Sequence, residues 1–127
     1  MIETEANQTK KKNSMPYAFA KAGEFVVAKD AFEGVGEDEA IIEVGPEGIA
    51  ISGFKGHAIA GKDGLAIAEI GGMAQAGENG VIQFLYLDDY GKLRAKVGYI
   101  GENGLVPHQA YELDQDHNIC PVTPLYH

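Results

Sequence analysis

Tryptophan is absent, cysteine occurs once, at Cys120, and basic residues are scarce: 10 Lys and Arg stand against 19 Asp and Glu. A single cysteine excludes both an intramolecular disulfide framework and a cysteine zinc cluster. The formal charge of −9 at pH 7 excludes direct nucleic-acid binding through the net field, because the phosphates would be repelled. No apolar run approaches the ~18 residues of a spanning helix, and the first residues are polar where a secretory leader would be apolar. The expectation is a soluble, cytoplasmic protein with no membrane association. No Walker A sequence occurs, and His57, His108, His117 and His127 form no H-x-x-x-H pair.

What the chain does have is glycine and small apolar residues. Its 127 residues are 45% hydrophobic, enough for the core of one domain, and 17 are glycine, nearly twice the usual share of about 7%. Residues 1–14 contain no large apolar side chain after Ile2 and carry a run of Lys10, Lys11 and Lys12. Such a segment cannot bury enough surface to offset its ordering entropy, so it reads as a flexible tail ahead of a single domain over 15–127.

The glycines fall into register. From Gly45 the chain reads GPEGIAIS, GFKGHAIA, GKDGLAIA, EIGGMAQA, GENGVIQF, and a degenerate octet, EDEAIIEV, precedes them at 37–44. Gly48, Gly56, Gly64, Gly72 and Gly80 hold the fourth place throughout, and Glu69 is the one departure from Gly in the first. Turn-type tetrads followed by four alternating residues predict short strands between tight turns, with the glycines supplying positive φ. Glycine every fourth residue excludes a helix, at about 1 kcal/mol per site. Two architectures fit. In a flattened parallel β-solenoid each strand stacks on the one sixteen residues away; in an antiparallel meander each octet pairs with the next. The solenoid is favoured, because Ala at positions six and eight, stacked in register, lets two sheets approach closely.

The octets over 37–84 resemble the Gly-rich octapeptide repeats of ice-nucleation-type β-solenoids and of small bacterial and phage proteins built of A-x-A-G-x-x-G units. That resemblance implies an all-β fold class and no activity. It also implies a closing strand pair at the C-terminus, which GENGLVPHQAYEL (101–113) would supply, within a cap of β-hairpins over 85–127. Residues 16–32 are expected to cap the other end, as a strand and turn or as a short helix. With positions six and eight inward, one outer face would carry Ile49, Ile51, Leu65, Ile67, Val81 and Gln83, and the other Ile41, Glu43, His57, Ile59, Met73 and Gln75. The first set is nearly all aliphatic and is expected to be covered, by the N-terminal segment or the hairpins.

No catalytic constellation stands out. Cys120 has His117 as its sole nearby base, and Asp114-Gln115-Asp116-His117 lacks the glycine and distal glutamate of a calcium loop. No cofactor, metal site or enzymatic activity is therefore expected. The unusual feature is an acidic run: Asp30, Glu33, Glu37, Asp38, Glu39, Glu43 and Glu47, with no Lys or Arg between Asp30 and Phe54. It should form a compact negative patch at one end of the solenoid and steer a basic partner. Phe54, with Tyr17 or Phe32, could anchor the contact. The expectation is a non-catalytic binding protein, monomeric or a small homo-oligomer. It would occlude a basic protein in the manner of an immunity or antitoxin-type inhibitor of a nuclease toxin. A phage-type anti-defence protein mimicking DNA charge, and a self-assembling structural module, are the alternatives.

Overall fold

The computed structural model describes residues 17–28, 31 and 33–122. They form strands and turns with no helix: β1 (Tyr17–Ala20), β2 (Phe25–Ala28), β3 (Glu33–Gly36), β4 (Ile41–Val44), β5 (Ile49–Ser52), β6 (His57–Ile59), β7 (Leu65–Ala68), β8 (Met73–Gln75), β9 (Val81–Leu87), β10 (Leu93–Tyr99), β11 (Tyr111–Leu113) and β12 (Ile119–Pro121). Through β9 successive strands alternate between two six-stranded sheets, ordered β10-β9-β7-β5-β3-β1 and β12-β11-β8-β6-β4-β2. Within each sheet the repeat strands pair in parallel, sixteen positions apart: Ile49 with Leu65, Leu65 with Val81, His57 with Met73. This is the flattened β-solenoid, of about four turns; adjacent octets lie in opposite sheets, which rules out the meander. The coils begin upstream of the recognisable octets, since Tyr17 pairs with Glu33 and Phe25 with Ile41 in the same register. The described residues expected to cap that end, 17–28, are ordinary coil strands.

Period-two alternation sends positions six and eight inward. Ala50, Ala58, Ala66 and Ala74 are fully buried, as are Ala68 and Ala76. The core is thin because its side chains are single methyl groups, and where one sheet carries larger residues the other shrinks. Ile42 and Val44 in β4 face Gly34 and Gly36 in β3, and a Cβ on Gly34 would lie 2.7 Å from carbons of both. At the C-terminal end Ile82 and Phe84 fill the space left by the absence of a further coil. There the chain reverses: β10 runs antiparallel to β9, β11 antiparallel to β8 and β12 antiparallel to β11. Ile100 and Tyr111 are buried in this cap, and Leu105, Leu113 and Ile119 pack on the core. The Tyr111 hydroxyl accepts a 2.8 Å bond from the Val106 N–H. An antiparallel terminal strand ends the sixteen-residue stacking rule and so closes the solenoid to a further coil.

The turns correct the reading of the glycines. The residue at positive φ is the third of each octet, Glu39, Glu47, Lys55, Asp63 and Asn79, all between 56° and 60°, with Gly71 in that place in its own octet. The fourth N–H closes on the first carbonyl, 3.0 Å for Gly56 to Gly53 and for Gly80 to Gly77. Left-handed φ at the third residue is the pattern of a type II turn. Glycine at positions one and four serves close approach between coils instead. A Cβ on Gly53 would stand 2.7 Å from the Glu37 carbonyl carbon, and one on Gly64 2.8 Å from the Gly48 oxygen.

Candidate functional site: an acidic corner

The sixteen-residue register stacks alternate turns on opposite corners. Turns 21–24, 37–40, 53–56 and 69–72 form one corner, tied by Glu39 N–H to the Phe54 carbonyl at 2.8 Å and Lys55 N–H to the Ile70 carbonyl at 3.1 Å. Turns 45–48, 61–64 and 77–80 form the other, tied by Glu47 N–H to Lys62 O at 2.7 Å and Asp63 N–H to Glu78 O at 2.8 Å. The first corner is the more acidic. It gathers Glu24, Glu37, Asp38, Glu39 and Glu69 with Lys21 and Lys55, whereas the second offers Glu47, Asp63 and Glu78 with Lys62.

Two of the first corner's carboxylates also stitch neighbouring coils. Glu37 Oε1 accepts from the Ala22 N–H at 3.0 Å, and Asp38 Oδ1 accepts from the Phe54 N–H at 3.2 Å. Each spends one oxygen on the scaffold and keeps the other for solvent or a partner. Phe54 is 43% exposed beside Glu39, and the Lys55 ammonium sits 5.4 Å from its ring centre. The corner thus presents carboxylates around an exposed aromatic on hydrogen-bonded backbone.

The acidic run is therefore divided by the fold. Glu37, Asp38, Glu39 and Phe54 come together at this corner. Glu33 projects from the outer face of the first sheet, Glu43 from that of the second, and Glu47 lies on the opposite corner. In place of a compact patch at one end, these acids encircle the second coil, because successive residues of a solenoid visit its four sides in turn. Asp30, Phe32 and the residues 1–14 read as a tail lie outside the described residues. The sixteen-residue offset, applied to the turns as it was to the strands, is the signal that separates the two corners.

Other chemistry-bearing groups are spread out. A cleft of about 290 Å³ at the C-terminal end of the same corner is lined by Glu69 to Gly72, Phe84 to Leu87, Glu112 to Asp114 and His117. In it the rings of Tyr86 and His117 stack with centroids 4.1 Å apart. Asp88 beside it is held below the usual carboxylate range by the Lys92 N–H, with the Tyr90 N–H, Arg94 and His117 adding to the effect against an opposing desolvation cost. The Cys120 thiol is pushed up, first by desolvation and then by Glu112 and Asp114, away from the thiolate a nucleophile needs. Burial lowers the pKa of His57, whose Nε2 has no hydrogen-bond partner among the described residues. Among those residues no group of three His, Cys, Asp or Glu is placed to hold a metal ion, and no helix is long and apolar enough to cross a membrane.

Sequence reasoning missed one feature. The aliphatic outer face of the first sheet is not covered by the C-terminal hairpin: β10 joins the sheet at its edge and widens that face, while the N-terminal segment, the other expected cover, lies outside the described residues. Comparisons with protein-family models, with curated proteins and with solved structures return no match for this chain.

Proposed function

We propose that this is a small, non-catalytic acidic protein that neutralises a basic protein partner by occluding its working surface, as an immunity or antitoxin-type inhibitor occludes a nuclease toxin. One observation carries the reading: Glu37, Asp38 and Glu39 stand beside the exposed Phe54 on a backbone cross-tied from coil to coil. A nuclease must carry a basic cleft to hold its substrate, and a rigid acidic edge can fill such a cleft with no chemistry of its own. Opposite charge steers the encounter, and Phe54 supplies an aromatic anchor of the kind that binding hot spots favour. The bunching of acids on the second coil favours a protein partner over DNA mimicry, which calls for charges spaced along the whole axis.

The test is capture by the tagged chain from its native host, release by salt, and an assay of the released protein for nuclease activity with and without the chain. Glu39→Lys with Glu69→Lys reverses two first-corner carboxylates, and Lys at the Glu39 position suits the turn, as Lys55 shows at φ 56°. At low ionic strength that variant is expected to bind at least about tenfold more weakly, while Glu47→Lys with Glu78→Lys changes little. Equal affinity for both variants would overturn the assignment.

A further inference from the structure

The outer face of the first sheet is largely apolar, with half-buried aliphatics at its centre, tyrosine at both edges and one polar side chain on the strand inside each edge. Across the strand order β1, β3, β5, β7, β9, β10, one column carries Tyr17 and Tyr99 at its two ends and Ile49 and Leu65 at its centre. Its neighbour has Ile51 and Ile67 at the centre. The two polar side chains of these columns, Glu33 and Gln83, lie on β3 and β9, each one strand in from an edge. Tyr17 is 62% exposed and Tyr99 53%.

We infer that this face binds a second copy of the chain, face to face, about a two-fold axis parallel to the strands. Such an axis reverses the strand order and keeps the columns. Tyr17 then meets Tyr99 of the other copy, Ile49 meets Leu65, and Ile51 meets Ile67. Strand β3 lies over β9, which makes Glu33 and Gln83 diagonal neighbours within reach of each other's polar groups. The tyrosines at the edges and the aliphatic centre each meet their own kind, and Glu33 and Gln83, which lie over Val81 and Val35, meet each other on the diagonal, so the contact is closed and isologous. The other two-fold, along the solenoid, also sets Glu33 over a valine, Val35, but gives it the like-charged Glu33 of the other copy as its diagonal neighbour in place of Gln83. Six strands at about 4.8 Å spacing give a face about 24 Å wide, so two copies bury roughly 1,000 Å² in all, the lower limit of a specific interface. The dimer is accordingly weak, with dissociation in the micromolar range. Both acidic corners fall on one flank of it, so added salt screens their repulsion and tightens the dimer, whereas salt loosens a complex with a basic partner.

Sedimentation velocity on the full chain over a micromolar concentration series tests this. A reversible monomer–dimer equilibrium is expected, weakened at least about tenfold by Ile67→Lys at the centre of the face and not weakened by Glu39→Lys, which only relieves repulsion between the corners. For a probe at exposed positions that leaves the core intact, Tyr17→Cys and Tyr99→Cys are each made in a Cys120→Ser background. Mixed and oxidised, they form a covalent heterodimer, while neither alone forms a homodimer. Monomer at every concentration overturns the inference, whatever then covers the face. Cross-linking of Tyr17→Cys with itself overturns the strand-reversed arrangement. Loss of partner binding in the Glu39→Lys, Glu69→Lys variant with the dimer intact separates this contact from the acidic corner.

Discussion

The two outer faces of the solenoid come from one octet repeat, yet they differ in what they offer a neighbour. Inside, the sheets are equivalent, with alanine at the matching positions 50 and 66 in one and 58 and 74 in the other. Outside, the first sheet runs Ile49, Leu65, Val81 and Ile51, Ile67, whereas the second sets Ile41 beside His57 and Met73, and Glu43 beside Ile59 and Gln75. The fold constrains these inward positions of the central coils tightly, since alanine faces alanine there and little more than a methyl group fits. The outward positions are free, and the contrast between them is where the two faces acquire separate roles.

The largest expected effect tests the equivalence of the interiors. Ala66→Leu and Ala58→Leu each force an isobutyl group into a gap sized for a methyl, and each should cost about 3 kcal/mol of stability in urea unfolding. A large difference between the two would show that the sheets are not equivalent inside. Next comes the outer comparison. Ile67→Thr and Ile59→Thr remove similar half-buried surface, and each should cost about 1 kcal/mol. Only the Ile67→Thr cost should grow with protein concentration, because only the first face is used by a second copy. A concentration-independent cost at both sites would make the faces equivalent.

The architecture was legible because a solenoid writes its period into the sequence: eight residues per strand and turn, small side chains inward, and a strand on each side of every glycine-rich tetrad. What was illegible depended on what one coil does to the next. Gly53 and Gly64 are glycine because of backbone above and below them, a relation that no local turn preference encodes. Glu33, Glu37, Glu43 and Glu47 look like one patch when read in line, and they part company only when the chain is wound. The coils over 17–36 escaped notice because Tyr17, Phe25 and Glu33 begin strands that no glycine tetrad announces. Only the small inward residues Ala18, Ala20, Ala28, Gly34 and Gly36 keep the pattern there.

One inward position breaks the symmetry chemically. Ser52, fully buried in the first sheet, presents an Oγ with no partner among the described residues, where its neighbour across the ladder is Ala68. Ser52→Ala removes a buried hydroxyl and should stabilise the fold by about 1 kcal/mol, read as a higher urea midpoint at unchanged slope. Loss of stability would mean that the hydroxyl has a partner after all.

The smallest effect is confined to one pH range and to the second face. His57 stands in a ladder between Ile41 and Met73, and burial lowers its pKa below the ordinary 6.5 by penalising the imidazolium. The unfolded chain therefore takes up this proton at a higher pH than the folded one. The contribution of neutral His57 is fully present above the unfolded pKa of 6.5 and is lost as pH falls from there through the lower folded value. Relief of repulsion among the many carboxylates works in the opposite direction as they protonate, so the wild-type profile alone is ambiguous. The difference between wild type and His57→Met isolates the histidine, since Met73 shows that the ladder accepts that side chain. Across a series from pH 8 to pH 5, the stability advantage of His57→Met should be constant near the top and widen below about pH 6.5. The matching substitution on the first face, Leu65→Met, should show no such widening, because nothing titrates in that ladder between Ile49 and Val81. Parallel profiles for the two variants would show that burial of His57 carries no proton linkage and that the faces differ in apolarity alone.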